Sequence, residues 1–221
     1  MGDPVVDAPA ASNGEKAPGK APRVDGRRLR SERTRRLIVE AYMALVRENA
    51  QMPTAVQIAE RAGYSVRSIF ERFPDLTALR VAVTDHAIAE ARASAALRDL
   101  DASRATRITS QVDQRAKTCE RWLPLWRVLS ADSSQSPDLH QRITVIRQLI
   151  IMRMEMMFIP ELSAMADSDR RKIVLALESI TTFESWARMR ELYGLSVEEA
   201  SAVWVRAIDR LLPATPVEFD G

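Results

Sequence analysis

Cysteine is all but missing from this sequence. Cys119 stands alone among 221 residues, so no disulfide can close within the chain, and a reducing cytoplasm is the expected setting. Histidine is nearly as scarce: His86 and His140 are the only two. No Glu-x-x-His spacing, no Cys/His cluster and no glycine-rich phosphate loop is present, so no catalytic residue, metal or cofactor is expected. Only seven glycines occur, amid abundant Ala, Leu, Arg and Glu, which favours helices over strands. No apolar run reaches the roughly 20 residues needed to span a membrane, so no membrane partner is expected. The opening "MGDPVVDAPAASNGEKAPGKAPRVDG" lacks the apolar core of a signal peptide. Val6 stands where a myristoylation pattern needs Ser or Thr.

What is present is ordinary in amount and uneven in placement. Apolar residues make up 46% and charged residues 28%, as in a soluble globular chain able to bury a sizeable core. The net charge of +2 divides unequally: residues 1–73 carry a balance of +4 and residues 74–221 one of −2. Within "KAPRVDGRRLRSERTRR", Lys20 to Arg36, eight bases face two acids. A basic amino-terminal part on a slightly acidic remainder suits a phosphate-binding head on a body with another task.

After that basic run and the apolar segment behind it comes "TAVQIAERAGYSVRSIFERF", Thr54 to Phe73. Gly63 costs roughly 1 kcal/mol relative to Ala inside a helix, so it is read as a turn in the left-handed conformation. Thr54 caps a short helix before it, with Val56, Ile58, Ala59 and Ala62 as apolar contacts. Tyr64 plugs the turn and Ser65 caps the next helix. There Val66, Ile69, Phe70 and Phe73 form one stripe, leaving Arg67, Ser68, Glu71 and Arg72 outward. Two helices joined this way describe a helix-turn-helix, whose second helix can enter the major groove.

The remaining pattern is helical throughout. A disordered basic extension is expected over 1–26, a helix-turn-helix domain over 27–73, a helical body over 74–213 and a loose tail over 214–221. The first helix should run from Ser31 to Asn49, and Pro74 and Asp75 should open a long one fading near Asp99–Asp101. Arg104–Glu120 is weakly amphipathic and Trp122–Leu129 short and aromatic. A loop "ADSSQSPD" precedes Leu139–Ile159, whose all-round apolarity suggests the bundle's centre, with Pro160 ending it. Asp169–Tyr193 and Val197–Leu212 should form the last pair, with Gly194 as C-cap and Ser196 with Glu199 as a capping box.

On "TRRLIVEAYMAL", "IAERAGYSVRSIFERF" and "PDLTAL", Thr34 to Leu79, the chain resembles the tetracycline-repressor (TetR) family of transcriptional regulators. "ESWARMRELYGLSVEEASAVWVRAIDRLL" also looks like their carboxy-terminal region. Departures touch particular contacts: Arg67 replaces a frequent Gly, Phe70 a usual Tyr, Leu76 a frequent Lys, and "NAQMP" a Gly-aromatic pair. The resemblance implies an all-α fold, a DNA-binding head, a ligand cavity in the body and a dimer.

From chemistry and resemblance together, Arg67 and Ser68 are expected at base edges, Arg67 most naturally at guanine. Thr54, Ser65 and Arg72 should meet phosphates, Tyr64 the sugar-phosphate chain, and Arg27, Arg28 and Arg30 should act as a basic arm. Glu71 should accept from a cytosine amino group or pair with a neighbouring arginine. Pocket candidates are His86, Cys119, Trp122, Trp126, Met152, Met156, Phe183 and Trp186. A dimer surface is expected from Ile180, Phe183, Ala187, Val197, Ala200, Trp204, Ala207, Ile208 and Leu211, which repeat every three to four residues. The expected function is a ligand-responsive regulator, a repressor binding a double-stranded palindromic operator as a homodimer, released by a small apolar or aromatic effector. The alternatives are a helical protein-interaction adaptor without DNA binding, or a helical-bundle enzyme.

Overall fold

The computed structural model describes Gly2 and residues 26–132 and 136–216. The expected extension, apart from Gly2 and Gly26, lies outside the described residues, as do the middle of the expected loop and the tail from residue 217. The described residues are all-α, without a strand.

The first helix, α1 (Gly26–Asn49), starts five residues earlier than Ser31. Ser31 is an exposed helical residue rather than a cap, so Arg27, Arg28 and Arg30 are helical and exposed, not an extended arm. Ile38, Tyr42 and Val46 lie one turn apart and are fully buried, which anchors α1 on its neighbours. The short helix α2 (Ala55–Ala62) packs beside it, and α3 (Val66–Phe70) packs on α2.

Their junction follows from local chemistry. Thr54 accepts at Oγ1 from the Gln57 amide at 3.3 Å, and Gln57 Oε1 accepts from the Thr54 amide at 2.8 Å, a reciprocal cap. Gly63 takes φ +71°. The Tyr64 amide then reaches Ala59 O at 3.0 Å and the Gly63 amide Glu60 O at 3.3 Å, closing the helix end. Ser65 caps α3, accepting from the Ser68 amide at 3.2 Å. Ile69 and Phe73 are buried, but Phe70 is 45% exposed and leaves the expected stripe. Three contacts at 66, 69 and 73 suffice to seat so short a helix.

α4 (Leu76–Ser94) is capped by Asp75 and ends short of Asp99. It packs on both α1 and α6 (Pro137–Met157), so it ties the first three helices to the body. α5 (Arg104–Asp132) is one continuous helix through Pro124, not two. A mid-helix Pro costs about 3 kcal/mol or more, and burial of Trp122, Leu125, Trp126, Val128 and Leu129 around it opposes that cost. α5 also touches α1, α6, α9 (Phe183–Ala187) and α10 (Val197–Leu211). It holds the centre of the bundle that sequence had assigned to α6. α6 buries Leu139, Ile143, Met154 and Met157 but leaves Met152 half exposed.

Phe158 ends α6 just before the short α7 (Ile159–Leu162). α8 (Asp167–Ile180) stops at Thr181, so the expected Asp169–Tyr193 helix is broken. Thr182 restarts it by capping α9, accepting from the Ser185 amide at 3.0 Å. A wider turn, Arg188–Leu192, follows, with the Tyr193 amide reaching Arg188 O at 3.2 Å. Gly194 at φ +66° closes it, and Ser196 with Glu199 forms the expected capping box for α10.

Candidate nucleic-acid interface and internal cavity

The α2–α3 corner presents a compact polar surface. Arg67 points outward with 88% of its side chain exposed, and its Nε donates to Glu71 Oε1 at 3.0 Å. Glu71 also lies 3.7 Å from Arg72, so it pairs with arginine on both sides. Ser65 and Ser68 share a hydroxyl contact at 3.0 Å. Thr54 is exposed, at the start of α2.

Two of the expected residues are turned toward the protein. Tyr64 is half-buried, and Thr34 donates to its hydroxyl at 3.3 Å across from α1. Arg72 is half-buried and donates to Ser68 O at 2.9 Å. Arg35, which sequence reasoning missed, donates to Arg72 O at 2.9 Å and lies 4.2 Å over the Phe73 ring. Its place in the basic run Lys20–Arg36 is the sequence signal it carries. Arg28 pairs with Glu32 at 2.9 Å on the exposed face of α1.

Inside the body, a cavity of about 260 Å³ lies among α4, α5, α6 and α9. Of the expected pocket residues it brings together Trp122, Trp126, Met152, Met156 and Phe183. Trp126 and Phe183 stack with centroids 4.7 Å apart. His86, Cys119 and Trp186 lie outside the lining, a correction to the sequence set. Trp186 is fully buried and donates to Glu120 at 2.7 Å. Cys119 is fully buried, and desolvation pushes its thiol up to about 11, so it is protonated and shielded.

Sequence reasoning also missed polar residues that do line the cavity: Arg92, Gln111, Gln114, Arg115 and Arg153. Arg107, Gln111 and Arg115 recur every fourth residue on the buried face of α5. That polar inner stripe is why the α5 sequence reads as only weakly amphipathic. Arg115 Nε donates to Thr181 O at 2.8 Å, and its guanidinium lies 4.6 Å over Phe183. Arg153 donates to Gln111 Oε1 and to Ala95 O, each at 2.9 Å.

No family model matches the chain, and no curated protein matches it. A solved structure from Rhodococcus sp., described as a TetR-family transcriptional regulator, is similar with a TM-score of 0.60. The likeness covers 81% of this chain and 98% of that one at 16% identity. The chain has the TetR-type fold.

Within the TetR-type fold, the expected dimer stripe needs correcting. Phe183, Ala200, Trp204 and Ile208 are 0–4% exposed in the single chain. Trp204 packs on Trp186 with centroids 4.6 Å apart. These four are spent on the chain's own core and offer nothing to a partner. Ile180, Ala187, Val197, Ala207 and Leu211 are half-buried. The large apolar residues outward on the helices themselves are Leu175 on α8 and Val203 on α10, 43% and 48% exposed, with Leu192 and Tyr193 exposed in the turn before α10. Among the described residues no three His, Cys, Asp or Glu cluster as for a metal, and no helix is long and apolar enough to cross a membrane.

Proposed function

We propose that the protein is a DNA-binding transcriptional regulator, acting in the cytoplasm as a homodimer on a two-fold operator. The observation that carries this reading is the α2–α3 corner. A left-handed Gly63 sets α3 against α2, with Arg67 outward and Ser68 beside it half-exposed, in a fold shared with a protein described as a regulator. Residues 27–73 then form the head, with Arg67 and Ser68 at base edges and Thr54, Ser65 and the arginines of α1 at phosphates. Tyr64 and Arg72 act by holding the corner together.

Residues 74–213 form a body with two tasks. The cavity beside α4 holds a small effector, and α4 reaches from that cavity to α1, so an effector that reshapes the cavity shifts the head. Repression relieved by the effector is the simplest regulatory outcome. The twofold surface lies on the outward faces of α8 and α10, around Leu175, Val203 and Ala207, where each chain leaves apolar surface open.

Selection of bound DNA from a random-sequence pool tests the reading. A two-fold consensus, bound with a steep salt dependence, is the expected result. Failure to enrich any sequence, with the chain folded, would sink it.

A further inference from the structure

Given an effector site in the cavity, as proposed above, its walls also specify the effector's charge. Arg92, Arg115 and Arg153 line the cavity, and no Asp or Glu does. Composition does not force this, because the chain has 32 bases and 30 acids. Other arginines in the body find carboxylates: Arg107 pairs with Glu161, Arg142 with Asp85 at 3.1 Å and Arg190 with Glu120 at 3.0 Å. The three on the cavity pair with no carboxylate among the described residues.

We propose that the cavity takes a small apolar acid whose carboxylate binds Arg153, with its apolar body between Trp122, Trp126 and Phe183. Arg153 spends Nε on Gln111 and Nη1 on Ala95 O, which fixes the guanidinium and leaves Nη2 without a hydrogen-bond partner among the described residues. A fork held this way is pre-organised for a carboxylate. No carboxylate offsets its partial burial, and desolvation lowers the Arg153 guanidinium from its usual range. An arriving anion removes that cost.

The placement of Arg153 sets the orientation. It and Gln114 also line an adjoining polar depression, where Arg98 and Lys117 stand with Asp99 and Asp113. The head group therefore sits at the polar boundary, and the apolar part points inward toward the stacked Trp126 and Phe183. Arg115, fixed by Thr181 O over Phe183, adds positive charge to the lining.

Calorimetric titration of the full chain with matched probes tests this: 2-naphthoate against 2-naphthamide, and octanoate against octanamide. For at least one body the acid should bind at least about tenfold tighter than the amide, equivalent to about 1.4 kcal/mol. Arg153→Gln should erase that ratio while keeping amide affinity. Arg92→Gln, whose side chain makes no hydrogen bond or ion pair among the described residues, should cut it less and leave folding intact. Amides binding as tightly as acids would overturn the acid preference and leave the cavity an effector site. A ratio unmoved by both variants would overturn the arginine assignment. Binding of no probe, alongside sequence-specific DNA binding, would overturn both the acid and the effector cavity.

Discussion

Arg67 and Glu71 pair across one turn of α3, Nε to Oε1 at 3.0 Å, on a surface that leaves most of the arginine in solvent. An exposed pair at this spacing is worth about 0.3–0.5 kcal/mol, so it is easily exchanged for a stronger partner. Glu71 thus holds the arginine in place without committing it, as a residue proposed to meet DNA requires. Arg67→Ala should cost about 1–3 kcal/mol on the selected operator and relax preference at one base pair. Equal loss on operator and random DNA, measured by mobility shift, would make Arg67 a phosphate contact. Glu71→Ala should tighten binding to both, because it removes a negative charge from the same surface.

Gly63 offers a separate test of the corner. At φ +71° its conformation is disfavoured for any residue with a Cβ, yet a Cβ there would meet no heavy atom within 4 Å. The penalty of Gly63→Ala is therefore backbone strain alone, about 1–2 kcal/mol. Urea unfolding should show a lower midpoint with an unchanged slope. No change in midpoint would mean that the corner relaxes to a different turn.

Glu161 makes the strongest demand on the body. It is fully buried, pairs with Arg107, lies 3.8 Å from Arg104 and accepts from Thr215 at 2.6 Å. Removing one partner of such a pair leaves uncompensated buried charge, at about 3–5 kcal/mol. Glu161→Ala should lower the melting temperature far more than Glu71→Ala does. Comparable melting shifts would show that water reaches Arg107.

Cys119 predicts a pH response. Burial raises its thiol from 9.0 to about 11, so the folded state favours the protonated form. Its stabilising share is complete below about 9 and fades as pH climbs toward 11. A thiol reagent at neutral pH should label Cys119 only after unfolding; rapid labelling of the native chain would contradict its burial.

Signals that reside in a few adjacent residues were legible in the sequence. Thr54, Gly63, Ser65, Ser196 and Glu199 cap or turn the chain as their chemistry requires, because a cap involves only its own neighbours. Features settled by distant packing were not. The expected Arg104–Glu120 and Trp122–Leu129 helices join into one only once the apolar burial around Trp122 and Trp126 is known. The end of α8 at Thr181 carries no Gly or Pro to announce it. The cavity's arginines were hidden because sequence cannot distinguish an inward charge from a solvated one. Likewise, a helical apolar stripe does not reveal whether it meets its own body or a second copy.

That last ambiguity makes Val203 and Trp204 a decisive pair of neighbours. Trp204 is 1% exposed against Trp186, while Val203 is 48% exposed on the other side of α10. Trp204→Ala should empty core volume and cost about 3–5 kcal/mol of stability, through loss of packing inside each chain. Val203→Glu should leave each chain folded, since the charge stays in water when the monomer is free. At a twofold surface, however, it would bury two carboxylates close together, a juxtaposition that strongly opposes association. Sedimentation should then show a folded monomer. Operator binding should weaken with it, because one head contacts only a half-site. A Val203→Glu chain that stays dimeric would place the twofold axis away from α10.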